Sequence, residues 1–158
     1  AQDPVSSYRA QANHALYLAR ILTAGWQREL DAANVPVTAL AQAYEPAVCD
    51  QLASAYGWFL LEITQPDPAP EFPPRGCREL PPPPPGRVLP GEVREFSQLE
   101  REGWLGELLR DRRGMVSRGR SVGNLARAEL AIGPEDCAAW ADRLQDLFDR
   151  MGDSLDEY

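Results

Sequence analysis

Five arginines lie close together in the second half of a chain whose formal net charge is −8. They are Arg110, Arg112, Arg113, Arg118 and Arg120. Only Asp111 offsets them, so the sign of the charge is reversed locally. Guanidinium groups bind carboxylates and phosphates through paired hydrogen bonds, which predicts a docking site for an acidic or phosphorylated partner. The alternative is structural, because cations stabilise a helix carboxyl terminus and these could pair with acids of the last helix.

Five aspartates recur every three or four residues near the carboxyl end of the chain, which places them on one face of a helix. They are Asp142, Asp146, Asp149, Asp153 and Asp156. A charge run of this kind usually marks a solvated face. However, aspartate is a poorer helix former than glutamate, and acids near a helix carboxyl end oppose the dipole. A solvated face is the first interpretation, and a surface that binds a basic partner is therefore the functional hypothesis beside it.

The only histidine, His14, leaves few routes to catalysis. One histidine cannot build a His-rich zinc site or the paired Glu-x-x-His motifs of a di-iron bundle. Ser-His-Asp or Cys-His catalysis would have to use His14 itself. Phosphate-binding loops and dinucleotide fingerprints are absent from the sequence too. We therefore predict no catalytic, cofactor-binding or metal-ligating residue, no cofactor, and a protein that is not an enzyme.

One motif offers a catalytic alternative. Arg9-x4-His14 resembles the loose Arg-x(4–6)-His signature of the HEPN family, helical proteins that include ribonucleases. The resemblance implies that Arg9 and His14 would be partners in RNA cleavage. A spacing of five residues turns them about 140° apart on an ideal helix, and Ala10 stands where the family prefers a polar residue. A HEPN-like ribonuclease is therefore the less favoured interpretation, and His14 is expected at the surface or a rim.

Apolar residues spaced by three and four predict the helices that position these groups. Four main helices result, over about 6–30, 36–64, 97–114 and 134–158. The last has the clearest apolar stripe: Cys137, Trp140, Leu144, Leu147, Met151, Leu155 and Tyr158. Only a short turn separates the first two helices, so we expect them to be antiparallel neighbours.

Two local signals refine the bounds of these helices. Pro46 falls inside the second helix, where a proline removes a hydrogen bond, so we expect a kink or a brief break there. Ser97 and Glu100 match a capping box and place the start of the third helix at Ser97, with Gly91 or Glu92 as the alternative.

Residues 65–91 contain eleven of the fifteen prolines, including the run Pro81–Pro85. Proline at this density excludes helix and sheet and favours an extended polyproline II conformation. We expect a crossover between helices two and three, long enough to run the length of a bundle. The alternative is a ligand for an aromatic groove that recognises Pro-x-x-Pro. The fold class predicted is all-α: an up-and-down four-helix bundle with a long proline-rich crossover.

Length and composition indicate one domain of an acidic globular protein. The chain has 158 residues, of which 44% are hydrophobic and 25% charged. Residues 1–4 resemble a scar left by cloning, so the domain is assigned to 5–158, and no apolar run approaches the ~20 residues that span a bilayer. Three scattered cysteines and no leader segment favour the cytoplasm. The negative net charge argues against nucleic acid as a partner.

Two stretches resemble a family of small bacterial all-helical proteins that has no assigned activity. They are Tyr8-Arg9-x3-Asn13-x3-Tyr17-x-Ala19 and Leu147-x2-Arg150-Met151-x2-Ser154-Leu155-x-Glu157-Tyr158. The resemblance covers the first two helices and the last, and not the proline-rich residues. It implies an all-helical cytoplasmic fold and no mechanism.

The function predicted from these observations is that of a small, non-enzymatic interaction or regulatory protein. It would bind a protein partner through the arginine segment 110–120 and the aspartate face of the last helix. The main alternative is a structural bundle that self-associates, as a homodimer, through residual apolar surface.

Overall fold

The computed structural model describes residues 7–83, 85–86, 88–110 and 132–156, with side chains described as far as Met151. It contains five helices, and no strand occurs among these residues, which confirms the all-α prediction. The helices are α1 (Tyr8–Ala32), α2 (Val37–Thr64), α3 (Gly91–Glu102), α4 (Trp104–Leu109) and α5 (Pro134–Asp156). A single 3₁₀ turn, Cys77–Glu79, interrupts the proline-rich segment, which we define as residues 65–90.

Helices α1 and α2 form an antiparallel pair, as predicted. Tyr8 stacks on Trp58 at one end, with ring centroids 6.1 Å apart, and Trp26 stacks on Tyr44 at the other, at 6.0 Å. The start of α1 therefore meets the end of α2. Buried alanines on α1 allow the two helices to approach closely. Ser7 caps α1, because its Oγ accepts a hydrogen bond from the Ala10 N–H at 3.1 Å.

Helix α2 continues through Pro46 without interruption, so of the two predicted outcomes the break is wrong and the kink stays a prediction. An interior proline costs about 3 kcal/mol through the lost hydrogen bond and the crowded turn. The residues that follow offset this cost, because Val48, Leu52 and Tyr56 are all fully buried. Most helical stability in a protein comes from such packing rather than from local preference.

The predicted third helix is two helices; the start at Ser97 is wrong and the alternative start at Gly91 is confirmed. Helix α3 begins at Gly91, directly after Pro90, whose carbonyl accepts the first-turn hydrogen bond from Val93 N–H at 3.1 Å. Ser97 therefore lies in the middle of the helix and caps nothing. Gly103, in an extended conformation, separates α3 from α4.

The core lies where α1, α2, α3, α4 and α5 present their apolar faces to one another. Phe59 of α2 contacts Phe96 of α3 and Phe148 of α5, with ring centroids 5.9 Å and 4.5 Å apart. The predicted stripe of α5 is confirmed as far as Met151, since its members are buried or packed against the core. Across the described ranges, the helices lack the combination of length and apolarity that crossing a bilayer requires.

Candidate interaction surfaces and the groove around His14

An open groove of about 560 Å³ runs between α1 and α2. Residues of both helices line it: Ala10, Gln11, His14, Ala15, Leu18, Gln51, Ser54 and Trp58. The antiparallel pairing produces it, because the small side chains of α1 face the amide and hydroxyl side chains of α2. His14 is exposed at its rim, in the position that the sequence predicted for it.

The groove does not assemble the two residues of the HEPN-like motif. His14 lines it, whereas Arg9 does not, as expected from their angular separation on α1. Ser54 is the one hydroxyl of the lining, and no hydrogen bond joins it to His14. A serine nucleophile and its histidine base need such a bond, so the described residues of the groove do not form a Ser–His acyl-transfer pair. The groove is a candidate for binding.

The outward ridge of α1 exposes two large apolar side chains. Tyr17 is 59% exposed and Ile21 is 48% exposed, while the ring of Tyr17 lies 6.4 Å from that of His14. The ridge therefore adjoins the groove. Sequence reasoning missed it, since apolar residues on a periodic stretch are expected in the core.

The aspartates of α5 are exposed where their side chains are described. Asp142 forms an ion pair with Arg20 of α1 at 3.0 Å, and Asp149 accepts a hydrogen bond from Gln145 at 2.9 Å. Asp146 is exposed. Asp153 and Asp156 belong to α5, but their side chains lie outside the described residues.

The arginine segment lies almost entirely outside the described residues. Arg110 is exposed and contacts Glu107 of its own helix at 3.4 Å, and it forms no ion pair with Asp142, Asp146 or Asp149, the aspartates of α5 whose side chains are described. The other four members, Arg112, Arg113, Arg118 and Arg120, are not described. The docking role of this segment stays a prediction.

A polar cluster ties the proline-rich segment to α2 and α3. The Tyr56 hydroxyl and the Cys77 backbone N–H both donate to the carboxylate of Glu100, and the Cys77 Sγ lies 3.7 Å from the Tyr56 hydroxyl. Burial, then Glu100, raises the pKa of Tyr56 above its usual range, and burial also raises the pKa of the Cys77 thiol. A protonated thiol is a poor nucleophile, so this cluster has a structural role.

The other two cysteines form a buried pair between α2 and α5. A hydrogen bond with Cys49, and then burial, raise the pKa of Cys137 above its usual range. All three cysteines are free thiols. Within the described residues, no group of three or more His, Cys, Asp or Glu side chains could hold a metal ion.

Comparisons with protein-family models, with curated proteins and with solved structures find no match to this chain.

Proposed function

We propose that this is a non-enzymatic interaction protein that binds a basic amphipathic helix of a protein partner. The binding surface comprises the α1 ridge, Tyr17 and Ile21, and the acidic face of α5, Asp142, Asp146 and Asp149. One observation carries the proposal: the ion pair between Arg20 and Asp142 holds the acidic face beside the exposed apolar ridge.

The apolar and acidic side chains of this surface indicate which kind of partner it binds. An apolar ridge flanked on one side by carboxylates complements a helix with leucine-like residues on one face and lysine or arginine beside it. Exposed carboxylates in a chain of net charge −8 accelerate encounter with a cationic partner. Tyr17 is the anchor residue in this arrangement, because tyrosine contributes large contact area at low entropic cost.

The finer description of the fold forms part of the proposal. We infer an up-and-down four-helix bundle in which α3 and α4 together stand for the third helix and the proline-rich segment is the crossover. The antiparallel pairing of α1 with α2 supports this topology.

The cytoplasm is the compartment proposed, since three free thiols suit reducing conditions. The arginine segment 110–120 is proposed as a second docking element, for an acidic or phosphorylated partner.

A labelled amphipathic peptide of alternating leucine and lysine pairs, about 20 residues long, tests the surface by fluorescence anisotropy. The triple variant D142N, D146N and D149N should weaken binding about tenfold or more at low salt, and added salt should weaken the wild type. The control triple variant D67N, E71Q and E102Q changes the net charge equally at other exposed positions. Equal weakening by both triple variants would show that net charge alone attracts the peptide and would refute the site.

Exchange of the apolar ridge provides an independent arm of the same test. Tyr17→Ala with Ile21→Ala should shorten the lifetime of the complex, because apolar anchors govern dissociation more than encounter. Val37→Ala is the matched control, since Val37 is 69% exposed on α2 away from this ridge. An unchanged dissociation rate in the double variant would exclude the ridge from the surface.

A further inference from the structure

We propose that the groove between α1 and α2 binds a polyproline II segment, and that a second copy of this chain supplies it from its own proline run. The chain would thereby form a reciprocal homodimer. This site is separate from the acidic face of α5 and does not depend on it.

Aromatic surface is the first requirement of a polyproline site, and the groove supplies it. Trp58 lines the groove and is only half-buried, while Tyr8 stacks on it with ring planes 20° apart. The stacking holds the indole in place before a ligand arrives. Proline rings dock in aromatic-lined grooves, where the preformed polyproline II helix loses little entropy on binding.

Hydrogen-bond donors are the second requirement, because polyproline has carbonyl acceptors and no backbone N–H. His14, Gln51 and Ser54 line the groove with such donors. Neither the Gln51 amide nor the Ser54 hydroxyl bonds to another described residue, so both are available to a ligand. No Asp, Glu, Lys or Arg lines the groove, and an uncharged ligand therefore suits it.

The described part of the proline run is largely exposed and therefore accessible to a second molecule. Pro82 and Pro83 are exposed, and Val88, a little further along the chain, is 90% exposed. The described residues of the run do not line the groove of their own copy. A second copy carries the same run and the same groove, so two molecules related by a two-fold axis would exchange one run each. Two simultaneous contacts make the pair tighter than one contact alone.

Sedimentation equilibrium of the whole chain over a range of concentrations tests the exchange. The wild type should dimerise, and Trp58→Ala should weaken the dimer about tenfold or more, since an aromatic anchor is lost. Changing Pro82 and Pro83 to Ser should do the same from the other side of the contact. An equimolar mixture of the two variants should form a heterodimer that keeps one of its two contacts, and is tighter than either variant with itself.

Two further measurements make the result decisive. Gln51→Ala with Ser54→Ala leaves the indole in place and should also weaken the dimer, whereas Val88→Ser, outside the run and the groove, should not abolish it. A decaproline peptide should shift the tryptophan fluorescence of the wild type. The Trp58→Ala variant should show no such shift. A wild type that stays monomeric while binding decaproline would overturn the second copy as the source. Failure to bind decaproline would overturn the site itself.

Discussion

The Tyr56 hydroxyl lies 2.5 Å from Glu100 Oε2, and the same carboxylate oxygen accepts the Cys77 backbone N–H at 2.9 Å. One carboxylate thereby joins α2, α3 and the middle of the proline-rich segment. Gly76 permits this approach, because a Cβ there would lie 2.7 Å from Glu100 Oε1. The proline-rich segment is consequently fixed at its centre by a specific contact.

Removal of the Tyr56 hydroxyl should destabilise the fold. Tyr56→Phe deletes the donor and leaves the carboxylate of Glu100 with one bond fewer in a partly buried place, so we expect a loss of about 1.5–3 kcal/mol in the free energy of unfolding. Urea unfolding followed by circular dichroism measures it. Tyr17→Phe is the matched control, because that hydroxyl is exposed, and it should change stability by less than about 0.5 kcal/mol. Equal effects of the two substitutions would contradict the role of Glu100.

Alkaline pH should reveal the same contact through the ionisation of Tyr56. Its pKa is raised in the folded state, chiefly by burial and then by Glu100, so the folded chain keeps a proton that the unfolded chain loses near pH ~10. Above that pH the unfolded state binds fewer protons, and stability therefore falls as pH rises. Tyr56→Phe should show a shallower decline than the wild type. Because Tyr56 stays protonated in the folded state, absorbance at 295 nm should report the same number of ionised tyrosines in the folded wild type and the folded variant.

Substitution of Asp142 should change stability little, although it removes an ion pair between α1 and α5. Its ion pair with Arg20 joins side chains that are 70% and 40% exposed, and exposed pairs contribute about 0–1 kcal/mol. Asp142→Asn should therefore lower the midpoint of thermal unfolding by only a few degrees. A collapse of the fold would show that the acidic face is an internal structural element, and would remove it as a docking surface.

Thiol reactivity should rank the cysteines by burial and pKa. Cys137 is fully buried and its pKa is raised, first by the bond with Cys49 and then by burial, so little thiolate forms near pH 8. Cys77 is only half-buried, although burial raises its pKa too. Pulse labelling with iodoacetamide and mass spectrometry of the peptides should find Cys77 modified first and Cys137 only after unfolding. Fast labelling of Cys137 in the folded protein would contradict the packing of α5 on α2.

The sequence was sufficient for the long helices because their apolar spacing is local information. It favoured the wrong start for α3 over the correct alternative, because Ser97 and Glu100 match a capping box in sequence. The carboxylate of Glu100 is instead used by Tyr56, which lies 44 residues earlier in the chain. No local pattern records that contact.

The proposed binding surfaces could be predicted from the sequence only in part, for the same reason. The spacing of the aspartates predicted the acidic face, whereas the groove depends on how α1 and α2 pack. Gln51 and Ser54 have no unusual spacing in α2, and their position opposite His14 follows from the antiparallel pairing. Tyr17 belongs to no predicted apolar stripe, and its exposure follows from the packing of the other faces of α1 against α2 and α5.

Alanine substitutions at two helical glycines should change stability in opposite directions, because Gly57 of α2 lies against the proline-rich segment and Gly25 of α1 does not. A Cβ at Gly57 would lie 2.3 Å from the Pro74 carbonyl oxygen and 2.9 Å from Pro73 Cβ. Backbone must move to relieve this overlap, which costs about 1–3 kcal/mol and outweighs the higher helix propensity of alanine, about 1 kcal/mol. Gly57→Ala should therefore destabilise the protein in urea unfolding.

Gly25 of α1 is the matched control, because it is also helical but has room for a side chain. Its nearest neighbour to an added Cβ is the Tyr44 hydroxyl at 3.4 Å, so Gly25→Ala should gain part of the propensity difference and raise stability by up to about 1 kcal/mol. If Gly57→Ala were stabilising as well, residues 73–74 would not rest on α2, because the three atoms nearest to an added Cβ at Gly57 belong to those two residues. The comparison thus tests the docking of the proline-rich segment independently of Tyr56 and Glu100.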